Sequence, residues 1–103
     1  MALNRIDMEC VALVAAERER QVAAEGYSQD RDVRLYPGGE TLAIAAACYA
    51  MPPARRQMGD ESPAPWPWLE RYWKPTPSDR ERELVKAAAL ILAALAVIRA
   101  ERG

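Results

Sequence analysis

Apolar positions follow a helical period in three stretches of this chain. From Asp7 to Glu25, Val11, Val14, Ala15 and Val22 recur at helical spacing, which places them along one side of an α-helix. Gly26 then fits the left-handed position that ends a helix. A second stretch, rich in alanine, follows Pro37-Gly38-Gly39 and predicts a helix over 40–51, stopped by Pro52-Pro53. Its alanines, Ala43, Ala45, Ala46, Ala47 and Ala50, let a neighbouring backbone approach closely. Glu40 in its first turn suits the positive end of the helix dipole.

The third stretch predicts the longest helix, over 79–102. Ser78 to Glu81 reads as a capping box, with Ser78 as N-cap and Glu81 three residues into the helix. Acids in the first turns and Arg99 and Arg102 in the last agree with the dipole. Leu84, Ala88, Ile91, Leu95 and Ile98 form one stripe, and Leu90, Leu92 and Val97 lie off it. A helix that is apolar nearly all round must be buried on most sides. One long and one short companion cannot easily cover it, so the pattern predicts a homo-oligomer with helix 79–102 at or near the subunit interface. The expected fold is all-α: a single helical domain over 1–103, with three helices and an ordered Pro/Trp-rich segment packed across them.

Two connections join these helices. Residues 27–39 are polar. Residues 52–77 hold seven of the eight prolines and all three tryptophans. A connection that long in a compact domain is commonly functional or partly disordered. Its first half, Ala54 to Ser62, reads as mobile. Its second half, from Pro65, reads as ordered, because Trp66, Trp68 and Trp73 are most of the large aromatic surface in a chain without Phe and must pack on something.

Composition narrows the chemistry. The chain has 103 residues, a net charge of −1, two cysteines and no histidine. Near-neutral charge gives no electrostatic case for nucleic acid or an anionic membrane. Without histidine there is no Cys/His metal site and no Ser-His or Cys-His catalytic pair. No catalytic residue, metal ligand or cofactor is expected, and Cys10 and Cys48 read as buried small side chains in a reducing compartment. The first residues lack the layout of a signal peptide. The longest uncharged apolar run, Ala87 to Ile98, is too short for a bilayer span of about 20 residues. A soluble cytoplasmic protein is expected.

Two constellations are candidates for binding. Glu17, Gln21 and Glu25 share one helix face, and Arg18 lies on the valine stripe, where a charge must find a partner or a polar pocket. Either this is a solvated face with intrahelical pairs, or Arg18 or Gln21 turns into a cleft and grips an anionic or amide-bearing ligand. The tryptophan segment either lids the core or walls a pocket with Tyr27, Arg71 and Lys74. Lys86 reads as a snorkelling side chain at the start of the apolar stretch.

The ordered set Glu17-Arg18-x-Arg20-Gln21, Glu25-Gly26-Tyr27, Gly39-Glu40-x-Leu42, Ala45-Ala46, Tyr49-Ala50, Trp66-Pro67-Trp68, Trp73-Lys74-Pro75 and Leu84-Val85-Lys86-Ala87 resembles a family of small proteins encoded by tailed phages and prophages. The resemblance spans about residues 16–99. Members of that family often carry Trp where this chain has Tyr27, and His-Asp pairs where it has Asp30-Arg31-Asp32. Their last helix tends to end Ala-Glu-Ile-Glu-Arg, where this chain has the more apolar Ala94 to Arg99. The resemblance implies a phage accessory gene, commonly an inhibitor of host defence.

The leading expectation is thus a non-enzymatic phage protein that counters host defence by binding. It would sequester a small phosphate-bearing, nucleotide-like ligand near Arg18, Gln21, Glu25, Tyr27, Trp66, Trp68, Arg71, Trp73 and Lys74. An alternative is a protein–protein inhibitor of a host defence complex, acting through the tryptophan segment and Arg55-Arg56. A third is a helical nucleotide pyrophosphohydrolase of the MazG type. That enzyme needs carboxylates at Glu-x-x-Glu and Glu-x-x-Asp spacing to hold magnesium. Here Glu17 and Glu19 are two apart, and the last helix has no Glu-x-x-Asp.

Overall fold

Asn4 begins the first helix through a reciprocal capping box: its side chain accepts from the Asp7 N–H at 2.8 Å, and the Asp7 carboxylate accepts from the Asn4 N–H. The computed structural model describes residues 2–26, 28–56 and 61–103. Among them the order is α1 (Arg5–Glu25), α2 (Gln29–Leu35), α3 (Glu40–Ala50) and α4 (Arg80–Glu101), with single 3₁₀ turns at Pro37–Gly39, Pro53–Arg55 and Glu70–Tyr72 and no strand. The protein is all-helical. The three expected helices are present with bounds shifted by a residue or two, and α2 is an addition to them.

α2 lies in the connection expected to be a polar loop. Ser28 caps it by accepting from the Arg31 N–H. What holds it is tertiary: its Asp32 is fully buried, with the Arg18 guanidinium of α1 3.5 Å away and Arg31 at 3.8 Å. Burial pushes the Asp32 carboxyl above its ordinary range, and the two arginines pull it back only in part.

The core is the α3–α4 contact. Leu42, Ala45, Ala46, Cys48 and Tyr49 meet Ala87, Leu90, Ala93, Ala94 and Val97, with Trp73 against them. Small side chains set the close spacing. Gly39, at φ 73°, enters α3 so near α4 that a Cβ there would lie 2.8 Å from the Ala94 carbonyl oxygen. The face of α4 turned inward is therefore its small-residue face. The predicted stripe of Leu84, Ala88, Ile91, Leu95 and Ile98 is turned outward within the chain, with Leu84, Ile91 and Leu95 exposed.

The N-terminus of α4 also departs from expectation. The cap is Asp79, whose side chain accepts from the Arg82 N–H at 3.1 Å, and not Ser78. A turn closed by the Asp79 N–H donating to the Thr76 carbonyl carries Ser78 outside the helix and removes Glu81 from the capping position. That register puts Glu83 at a fully buried position. It accepts from Arg56 at 2.7 Å, from Arg80 at 3.1 Å and from the Thr76 N–H at 3.0 Å. Burial alone would raise the Glu83 carboxyl; the Arg56 and Arg80 hydrogen bonds outweigh it and hold the group below its ordinary range. Arg80 also donates to the carbonyls of Tyr49 and Ala50, the unsatisfied C-terminal end of α3.

The Pro/Trp segment packs across the helices as an aromatic cluster. Trp73 stacks on Tyr49 at 4.7 Å between ring centroids. Trp66 meets Tyr49, Trp68 and Trp73 edge-on at 4.9–5.6 Å, and Trp68 tilts against Tyr36 at 5.8 Å. Such pairings favour offset and edge contacts because ring edges are positive and faces negative. Of the stretch 54–62 expected to be mobile, residues 57–60 lie outside the described residues. Arg55 closes the Pro53–Arg55 turn, Arg56 is buried over Trp73, and the Ser62 N–H donates to Glu70.

Candidate functional site

The second half of α1 places Glu17, Gln21 and Glu25 on one face, and this face looks onto the tryptophan segment and the start of α4. Although polar, it is the buried part of the helix: Glu17 and Gln21 are each 3% exposed. Glu17 is satisfied on both oxygens. One accepts from Arg20 at 2.8 Å and faces Arg82 of α4 at 2.7 Å; the other accepts from Arg20 at 2.9 Å and from the Gln21 amide at 3.1 Å. Burial raises this carboxyl and the Arg20 and Arg82 contacts lower it further than that, leaving it at about 2. Glu17 is thus a permanent anion that docks α1 on α4. Its pairing in turn pushes Arg20 further above its ordinary value.

Gln21 is different. Its Nε2 must face the Glu17 carboxylate, because only the amide N–H₂ can donate to it. That fixes Oε1 as an acceptor, and Oε1 is buried with no hydrogen-bond partner. A buried acceptor left unmet costs about 1–3 kcal/mol, so a native site with one is expected to meet a donor when it works.

Gln21 also lines the inner part of a cleft in two parts. The inner part is a narrow slot between Gln21, Tyr49, Trp66 and Leu90, deep enough for small groups only. The outer part is a broader hollow of about 390 Å³ between Glu25, Arg31, Tyr36, Trp68, Tyr72 and Lys74. Trp68, Tyr72, Lys74 and Glu25 border both. The walls are therefore aromatic, and cations stand along them. Lys86 closes the floor: its ammonium donates to the Lys74 carbonyl at 2.8 Å and sits 5.2 Å from the Tyr49 ring centroid. Burial and the nearby Arg82 push the Lys86 ammonium below its ordinary range. This lysine is structural as well as cationic, where the sequence suggested a snorkelling side chain.

The residues expected to form a site divide accordingly. Gln21, Glu25, Trp66, Trp68 and Lys74 meet in the cleft. Arg18 lies outside its lining and pairs with Asp32. Arg71 stacks its guanidinium on the Tyr72 ring at 5.1 Å, on the surface. Trp73 belongs to the core. Tyr27 lies outside the described residues. Residues that sequence reasoning did not place here are Arg20, Arg31, Tyr36, Tyr49, Tyr72 and Lys86. A signal existed for Arg20 and Lys86: Arg20 is three residues after Glu17, and Lys86 is one turn before Leu90. The three tyrosines are brought together by the chain path, and no local pattern marks them.

Among the described residues no group of three or more His, Cys, Asp or Glu side chains is placed to hold a metal ion. Nor is any helix among them long and apolar enough to cross a membrane. No protein-family model, no curated protein and no solved structure matches the chain.

Proposed function

We propose that this chain is a non-enzymatic binding protein whose cleft takes a small nucleotide-like ligand, and that it acts as a phage accessory protein that sequesters such a ligand from host defence. The observation that carries the reading is the unmet Oε1 of Gln21, a residue that lines a slot with aromatic walls. An acceptor there suits an exocyclic or ring N–H of a base. The Trp68 and Tyr72 rings suit the flat face of that base, since base–aromatic stacking is worth about 1–3 kcal/mol. Lys74 and Arg31, at the outer hollow, suit phosphate oxygens leaving the slot. Glu17, a buried anion lining the inner slot, disfavours a phosphate that sits deep, so the base goes in first and the phosphate stays near the mouth, where Lys74 and Arg31 offset Glu25.

The binding reading fits the carboxylates better than hydrolysis does. Glu17 and Glu25, which a magnesium-dependent mechanism would need, both accept hydrogen bonds from Arg20. A panel of nucleotides and cyclic nucleotides, read by melting temperature and calorimetry, tests the proposal. A member that raises the melting point and binds once per chain supports it, and indifference to all of them removes it.

A second reading, a protein–protein inhibitor, is favoured by one observation: Leu69 and Tyr72 are 60% and 48% exposed beside Arg71 on the outer edge of the tryptophan segment. Against it, Trp73 and Arg56 are buried and Trp66 and Trp68 are half-buried, so most of the surface it would use is turned inward.

A further inference from the structure

The first half of α1 reverses the usual rule of burial. Ile6, Met8, Val11 and Leu13, with Leu3 just ahead of the helix, are between 43% and 62% exposed, on a segment that stands clear of the core. From Cys10 to Ala16 there is no charged residue. Beside it the outward side of α4 leaves Leu84, Ile91 and Leu95 of the stripe, and Leu92 next to it, between 40% and 53% exposed. Where the helices meet, apolar grooves open on both flanks of α1. One is floored by Val14, Leu84 and Val85 and the other by Val11, Val14 and Leu92, and Cys10 borders both.

The chain as a whole exposes more surface than its mass requires. A folded monomer of 11.5 kDa exposes about 5,800 Å² by the surface–mass relation. This chain exposes 6855 Å². The excess of about 1,000 Å² is close to the ~800 Å² that each partner contributes to a standard stable interface. The radius of gyration, 14.1 Å, likewise exceeds the ~12.8 Å of a compact chain of this length.

A second copy is the occupant the shape favours. Ridge and grooves lie side by side on one face, so a two-fold axis sets the ridge of each copy into the groove of the other. A membrane surface is a poorer match, because residues 2–16 hold one arginine against two acids and lack a basic face. We propose that this face is the interface of a two-fold homodimer, in which the first half of α1 of each copy lies against α1 and α4 of the other. The interface is independent of the ligand reading, and it moves the expected subunit contact from α4 alone to α1 and α4 together.

Sedimentation and thiol labelling test this on the full chain. The wild type sediments at twice 11.5 kDa at about 10 µM. Cys10, exposed in the single chain, reacts slowly with a maleimide because the partner covers it, and buried Cys48 stays unreacted. Val11→Glu and Leu95→Glu each weaken the dimer by on the order of 100-fold, because a buried charge has no partner there. Both speed Cys10 labelling. Leu69→Glu, at a residue at least as exposed but outside the lining of both grooves, leaves the mass unchanged. If Val11→Glu loses helical signal, Leu95→Glu decides alone. A wild type at 11.5 kDa, a dimer indifferent to both charges, or a Cys10 that labels in the dimer as fast as a free thiol overturns the proposal.

Discussion

The two halves of α1 show opposite relations between polarity and burial. Residues 17–25 are mostly charged or amide-bearing, yet Glu17 and Gln21 are the buried residues of the helix. Residues 5–16 are mostly apolar, yet nearly all are exposed. The charges that go inward in the polar half do so because they are matched: Glu17 has Arg20 and Arg82, and Arg18 has Asp32. The apolar half is outside because α3 and the tryptophan segment already fill the small-residue face of α4. Burial in this chain follows partner supply, and hydrophobicity alone does not rank the positions.

The comparison is broken most strongly at its polar end. Glu17→Ala leaves Arg20 and Arg82 without their shared partner and opens a gap between α1 and α4. Breaking a buried pair typically costs about 3–5 kcal/mol. Because Arg20 and Arg82 are partly exposed, the expected loss is about 2–3 kcal/mol, a fall in melting temperature of roughly 10 °C or more by calorimetry. A change smaller than that of an ordinary surface substitution would mean that the polar half is not what docks α1.

Acid sharpens the same contrast. The Glu17 carboxyl lies at about 2 against an ordinary 4.5, and Glu83 is also lowered. A carboxyl depressed by folding stabilises above its unfolded value and loses that contribution as pH falls through its folded one. Melting temperature is therefore expected to drop as pH falls from about 4.5 toward 2. Asp32, raised by burial, acts with the opposite sign and blunts the drop. Glu17→Gln flattens the profile, since only Glu83 and the exposed, Ser62-bonded Glu70 then remain, among the described residues, to lose a contribution. An unchanged acid limb in that variant would contradict the assignment.

The smallest expected effect lies at the exposed end. Asn4→Ala removes one capping hydrogen bond at a solvent-facing terminus, at about 0.5–1 kcal/mol. It frays the first turn of α1 and leaves the cleft intact, which circular dichroism and the nucleotide melting shift would report separately.

These contrasts also explain what was legible in the sequence. Ends marked by local chemistry were readable: Gly26 after α1 and Pro52 after α3. The aromatic cluster was readable as something that must pack, because a chain without Phe has few other large rings. α2 was hidden, since Gln29–Leu35 has no apolar period and is held by the distant pair Arg18–Asp32. The inward face of α4 was misread for a related reason. Large side chains mark the stripe through Leu84, Ile91 and Leu95, but a close helix pair selects Ala87, Ala93 and Ala94. Within the cleft, Gln21 and Glu25 shared a face by simple spacing, while Tyr36, Tyr49 and Tyr72 were gathered by the fold from three separate elements.

The central claim is that Gln21 presents an unmet acceptor to a nucleotide-like ligand, and calorimetric titration of the wild type and Gln21→Leu tests it most directly. The wild type is expected to bind a member of the nucleotide panel once per chain. Gln21→Leu, which keeps the volume but removes the acceptor, should bind that member at least 10-fold more weakly, as loss of about 1.4 kcal/mol requires. Its sedimented mass should equal that of the wild type. No binding to any member by the wild type, or equal binding by the variant, would contradict the account.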